Sequence, residues 1–131
     1  MIKIAHRGNT KGKTDRENSP TYIQESLQLG FDVEVDAWYV EESDSYFLGH
    51  DAPQFQVDLD FLMAEGLWVH CKHLKCFQSL LKVPEINCFM HDEESWKNGT
   101  PAVTSHQYLW SYPEVYTFDG KIYGICGDAL L

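Results

Sequence analysis

Six side chains that could carry acid, base or metal chemistry stand at or near the ends of apolar runs. His6 follows Ile2-Lys3-Ile4-Ala5, and Glu34 and Asp36 close the run that starts at Phe31. His50 comes just after Tyr46-Phe47-Leu48, while His70 and Lys72 end Leu67-Trp68-Val69-His70-Cys71-Lys72. A β-strand sends residues i and i+2 to one face. Ile4 and His6 therefore share a face, as do Glu34 and Asp36, and His70 and Lys72, with Val69 and Cys71 turned to the other side. Imidazoles, carboxylates and cations delivered from strand C-terminal ends are how open α/β sheets and barrels build active sites, because the sheet holds them rigid while the loops vary. Two carboxylates on one face of a hydrophobic strand are costly to bury unless a cation or hydrogen bonds neutralise them. A divalent metal ion is the favoured partner, with a salt bridge to Arg7 or Lys72 as the other solution.

The elements that must position these groups are readable from pattern. A strand over 2–5 is followed by a polar loop over 9–16 of the kind that binds ligands at strand ends. A helix then starts at Ser19 as cap with Pro20 in its first turn; Tyr22, Ile23, Leu27 and Leu29 form its apolar stripe and Gly30 ends it. The second strand, 31–37, continues through Trp38-Tyr39-Val40 to a polar turn over 41–45 and an aromatic return over 46–48. That pattern predicts a hairpin, which brings His50 back beside Glu34 and Asp36. A short helix over 58–65, a strand over 67–72, a helix over 74–81 and a strand over 86–90 ending in His91-Asp92 follow. Beyond this point the strand-like runs at 102–104, 108–110, 115–118 and 122–125 are too closely spaced for intervening helices.

Residues 1–131 read as one domain, since 44% hydrophobic and 14% aromatic content can fill a core of that size. The formal charge of −10 opposes non-specific attraction to nucleic acid or anionic membrane, so an anionic substrate needs cations placed locally. The start of the chain has no apolar run of signal-peptide length and no stretch is long enough for a membrane span, which predicts a cytoplasmic protein. Cys71, Cys76, Cys88 and Cys126 form no CxxC pair and are expected to be reduced core residues. Cys71, His73 and Cys76 come nearest to a metal pattern but match no common zinc spacing. Trp38 is the tryptophan expected to wall a substrate pocket; Trp68, Trp96 and Trp110 are expected in the core.

Four of these stretches, in this order and spacing, resemble the glycerophosphodiester phosphodiesterase family of the phospholipase-C-like phosphodiesterase superfamily: His6-Arg7-Gly8, Glu17-Asn18, Glu34-x-Asp36 and His50-Asp51. Val69 to Lys72 stands where the family has a Glu-x-Lys strand, with His70 in place of the glutamate. Leu109-Trp110-Ser111 and Gly124 to Asp128 are similar to its later strands. The resemblance implies a TIM-type (β/α) barrel; a full one takes about 250 residues, so this chain would be a reduced or incomplete barrel with helices lost in its C-terminal half. It implies His6 and His50 as the general acid–base pair, and Glu34 and Asp36 as ligands of one divalent metal ion. Glu17 would be a further ligand or a supporting partner, and His70 a possible one. The ion would be magnesium, calcium or manganese, with zinc admitted by His70. Arg7 and Lys72 would hold the phosphate of a glycerophosphodiester-like or lysolipid-like substrate, a role in lipid metabolism. The alternative implied is a catalytically weak or inactive descendant that binds a phosphorylated ligand or a protein partner. The apolar run over 122–131 would either close the sheet onto the first strand, as the family's last strand does, or pack against a second copy in a homodimer.

Overall fold

The computed structural model describes residues 2–90, 102–112 and 123–131; the expected strand over 115–118, the His91-Asp92 pair and Trp96 lie outside them. Two alternating runs lie at the centre, β1 (Ile2–His6) and β2 (Asp32–Val40), paired in parallel with His6 opposite Glu34. Helix α1 (Pro20–Gln28) crosses between them. Ser19 caps it by accepting the Tyr22 N–H, Pro20 occupies its first turn, and Gly30 ends it at φ +96°. Ile23 and Ser26 are its buried residues, whereas Leu29, expected in the apolar stripe, caps the last turn and is exposed.

Strand β2 changes partner along one edge. Asp32 to Glu34 pair with β1, and from Ala37 to Val40 the strand pairs antiparallel with β3 (Ser45–Leu48). The Arg7 N–H donates to the carbonyl of Glu34 and the Gly49 N–H to that of Asp36, two residues on, so the hairpin takes the edge that β1 vacates. A 3-10 turn at Glu41–Ser43, with Asp44 left-handed at φ +48°, reverses the chain as the polar stretch predicts. Strand β4 (Phe55–Val57), unannounced by any alternation, extends the hairpin. On the other edge β2 pairs in parallel with β5 (Leu67–Cys71), reached through the short helix α2 (Leu59–Leu62) with Asp58 as its cap. Helix α3 (Leu74–Leu81) leads to β6 (Cys88–Phe89), parallel to β5. Further on are β7 (Ala102–Val103), β8 (Leu109–Ser111) and β9 (Gly124–Gly127), with β9 parallel to both β8 and β1. The last strand thus lies beside the first, as expected.

The expected TIM-type (β/α) barrel does not form. Among the described residues there are three α-helices, and nine strands join one mixed sheet: a path β4-β3-β2-β1-β9-β8-β7 from which β5 and β6 branch at β2. The β2–β3, β3–β4 and β7–β8 pairs are antiparallel, which repeated strand–helix units cannot produce. The physical reason is connection length: the links between β3 and β4 and between β7 and β8 are far shorter than the dozen or so residues a parallel crossover needs. The result is a small, sheet-dominated α/β fold. No helix among the described residues is long and apolar enough to cross a membrane.

Alternation sorts the two faces of the sheet. Ala5, Val33, Val35, Ala37, Val69 and Cys71 pack with Ile23 of α1, Leu62 of α2 and Leu80 of α3. Ile4, Trp68, Phe89, Trp110 and Cys126 make a separate cluster on the opposite face. Toward the C-terminal ends of β1, β2 and β5 that second face turns polar, at His6, Glu34, Asp36 and His70. All four cysteines are free and buried, consistent with core filling. Ser105 covers β6: its N–H donates to the Cys88 carbonyl at 2.8 Å and its Oγ accepts the Cys88 N–H at 2.9 Å.

Candidate active site

β1 ends in a turn that only a small set of residues can make. Arg7 and Gly8 are left-handed, at φ +56° and +92°, and a Cβ on Gly8 would lie 2.8 Å from a ring carbon of Tyr22. The turn sends the Arg7 side chain across the end of β2. Its Nε lies 3.2 Å from Asp36 Oδ2, its Nη1 donates to Glu17 Oε1 at 3.1 Å, and its Nη2 is 3.4 Å from His50 Nε2. Burial opposes the guanidinium charge, but Asp36, Glu34 and Glu17 outweigh it and hold Arg7 more firmly protonated than usual.

His6 is held from the far end of the sequence. Its Nδ1 is 3.0 Å from Asp128 Oδ1 and its Nε2 3.8 Å from Glu34 Oε1. Asp128 follows Gly127, the residue of β9 paired with Ala5, so register alone sets it beside His6. Asn9 Nδ2 donates to Asp128 at 2.8 Å, Tyr112 donates its hydroxyl at 3.3 Å, and the Tyr112 ring lies 4.5 Å from the His6 ring. Burial pushes the Asp128 carboxyl up, but hydrogen bonds from His6 and Asn9 outweigh it and bring it down to about 2. A carboxylate on Nδ1 keeps the ring proton there and leaves Nε2 as the acceptor that faces Glu34.

Glu34 and Asp36 are buried, at 0% and 1% exposure, and His70 of β5 lies against them with its Nδ1 3.0 Å from Asp36 Oδ1. Asn18, left-handed at φ +67° just before α1, donates to Asp36 Oδ2 at 2.9 Å and accepts the Asp36 N–H at 2.9 Å. His50 completes the ring of contacts, its Nδ1 3.6 Å from Asp36 Oδ2; at that distance its pull is electrostatic rather than a full hydrogen bond. Burial and the adjacent Asp36 push the Glu34 carboxyl well above the usual range. Burial acts on Asp36 in the same direction, but His50, His70 and Arg7 outweigh it and hold that carboxyl well below the usual range. One strand face therefore carries two carboxyl groups driven to opposite ends of the scale.

The donor set fits a divalent metal ion. Glu34, Asp36 and His70 each offer a ligand atom within 4.8 Å of the others. Glu34 Oε2 is buried and makes no hydrogen bond, with His70 Nδ1 3.8 Å away. A buried carboxyl oxygen without a hydrogen-bond donor is what a cation would satisfy, by displacing the proton that burial favours. Two carboxylates with one imidazole suit manganese or zinc as well as magnesium.

The structure brings together His6, Arg7, Glu34, Asp36, His50 and His70, and the hairpin returns His50 to Asp36 as its pattern predicts. Glu17 stands outside the three-residue group and is engaged with Arg7 and, at 2.7 Å, with Asn9. Lys72 follows β5 directly, partly buried, with its backbone N–H donating to the Ala37 carbonyl. Trp38 donates its indole N–H to the Gly49 carbonyl at 2.6 Å and so steadies the turn that carries His50. Asp51 is 95% exposed beside it. His73 and His106, assigned no role from sequence, are tied to backbone at Tyr39 and Pro84. The sequence reading missed Asp128, Asn9, Asn18 and Tyr112 as parts of the site; the parallel pairing of the last strand with the first was the signal that could have found Asp128.

No protein-family model matches the chain, and no curated protein shows a significant match to it. The resemblance drawn above therefore rests on the motif residues alone.

Proposed function

We propose that this chain hydrolyses a phosphodiester with the help of one divalent metal ion held by Glu34, Asp36 and His70. The observation that carries the reading is the placement of one imidazole beside each of two buried carboxyl groups, His6 beside Glu34 and His50 beside Asp36. Phosphoryl transfer needs a base for the attacking hydroxyl, an acid for the leaving oxygen and positive charge for the non-bridging oxygens. The bound ion would supply positive charge to the phosphate. His6, with Nδ1 on Asp128, takes the proton of an attacking substrate hydroxyl at Nε2. His50, on the more open side of the site, gives a proton to the departing oxygen. The product is a cyclic phosphate, and water opens it with the two histidines exchanging roles. Arg7 and Lys72 supply cations for the phosphate. The motif resemblance points to a glycerophosphodiester-like or lysolipid-like substrate.

A second reading, a descendant that binds a phosphorylated ligand or a protein partner without turnover, is favoured by one observation: Arg7 is already held by Asp36 and Glu17. Hydrolysis of bis(p-nitrophenyl) phosphate, with magnesium, manganese, calcium or zinc added in turn, separates the two. Metal-dependent turnover that disappears in His6→Ala and His50→Ala supports the enzyme. Turnover unchanged in both variants, or none with any of the four ions, refutes it.

A further inference from the structure

A cavity opens at the ends of these strands opposite the candidate site. It encloses about 470 Å³ and is lined where β1, β2 and β5 begin, by Ile2, Asp32, Leu67 and Trp68 among others. That volume suits a small organic ligand. One wall is aromatic: Tyr108 and Tyr123 stack at 4.2 Å, and Trp68 lies 5.6 Å from each. The carboxylates of Asp32, Glu65 and Glu85 also line it, and no lysine or arginine does among the described residues. Asp32 already accepts the Trp68 indole N–H at 2.9 Å. Asn87 is the decisive residue. It lines the cavity at 8% exposure, and its Oδ1 is buried with no hydrogen bond.

We propose that this cavity binds a protonated primary amine, whose ammonium group donates to Asn87 Oδ1 and the Asp32 carboxylate while its alkyl chain lies against Trp68, Tyr108 and Tyr123. Each feature selects for that chemistry. Among the described residues the three carboxylates face one basic side chain in the lining, His106, whose Nε2 is taken up by the Pro84 carbonyl at 2.7 Å; they therefore attract a cation, and aromatic faces hold an organic cation by its charge as well as its surface. A buried acceptor left unmade is expensive, so the guest must bring an N–H. A quaternary ammonium satisfies the rings but leaves Asn87 unsatisfied. A bare metal ion gains nothing from a wall of ring carbons.

The test titrates the full chain with n-butylammonium while following the Trp68 indole N–H resonance, with tetramethylammonium and n-butanol as comparators. A saturable shift is expected with butylammonium, a weaker response with tetramethylammonium and none with butanol. Asn87→Leu is expected to weaken butylammonium binding by about tenfold or more, as loss of a hydrogen bond to a charged group does. Asp32→Asn weakens it as well, and provides the same reading if Asn87→Leu does not fold. His6→Ala leaves the shift in place, which separates this site from the one at the other strand ends. Absence of a saturable shift, butanol or tetramethylammonium binding as tightly as butylammonium, or unchanged affinity in the Asn87 or Asp32 variant overturns the proposal.

Discussion

Glu34 Oε2 is buried and makes no hydrogen bond, and burial together with Asp36 drives the carboxyl toward its protonated form. Glu34→Gln removes the charge yet keeps the side-chain length and the Oε1 position that accepts the Arg7 N–H at 3.2 Å. An unsatisfied buried polar group costs about 1–3 kcal/mol. The metal-free variant is therefore expected to be more stable than the parent by about that amount at neutral pH. The sign follows from linkage: a carboxyl whose folded value is raised weakens the fold as pH climbs above its ordinary value of 4.5, and glutamine does not titrate. For a domain of this size each kcal/mol moves the Tm by roughly 3–5 °C. Metal acts in the other direction. At a hundredfold excess over Kd the parent gains ~2.7 kcal/mol from binding, while the variant, without its anionic ligand, gains far less. The order of melting temperatures should thus reverse between a chelator and saturating magnesium, manganese or zinc, as read by thermal melts of both proteins. A variant that melts below the parent in chelator, or that gains as much from metal as the parent does, would refute the account of Oε2.

Asp128→Asn should cost about 1 kcal/mol at neutral pH once solvent screening at this partly open position is allowed for. Because the Asp128 carboxyl is depressed from 3.8 to about 2, that stability is present above the higher value and lost as pH falls through the lower one; urea midpoints that differ equally at neutral and strongly acid pH would contradict it. Hydrolysis should peak near neutral pH, because one imidazole must be neutral while the other is protonated; a flat pH–rate profile counts against the His6–His50 pair. Gly124→Val should destabilise by about 1–3 kcal/mol, since even a Cβ there meets Ile4 Cδ1 at 2.8 Å and the Ile2 carbonyl at 3.0 Å. An unchanged urea midpoint would mean that β9 does not pack against β1 this closely.

The site was more legible than the fold, and for a physical reason. Strand parity is local, so the sharing of a face by Glu34 and Asp36, and the return of His50 by a hairpin, follow from a few consecutive residues. Sheet architecture is not local. The alternation in the first ninety residues is what a barrel would show, and nothing in it reveals that β3 takes the edge of β2 that β1 leaves, which turns a repeating pattern into a mixed sheet. Strand β4 has only three residues and no clean alternation to announce it. Asn18 entered only as part of the Glu17-Asn18 motif and Asn9 only as the start of a polar loop, because polar loop residues are ordinary; their contacts with Asp36 and Asp128 come from the left-handed backbone at Arg7 and Asn18, which folds the loop back over the carboxylates. Glu17 fits a ligand by type, but Arg7 reaches it first.

The position of β1 between β2 and β9 has a kinetic consequence. Its pairing with β2 closes a loop of some thirty residues, whereas its pairing with β9 and the His6–Asp128 contact span 122 residues. Loop-closure entropy makes the second event the slower one. During refolding the carboxylate pair, the Arg7 turn and the His50 hairpin can assemble while His6 still lacks its aspartate. The cluster that would bind metal is therefore expected to form before the proposed general base is in place, so metal-dependent protection should run ahead of any recovered hydrolysis by an interval set by β9 docking.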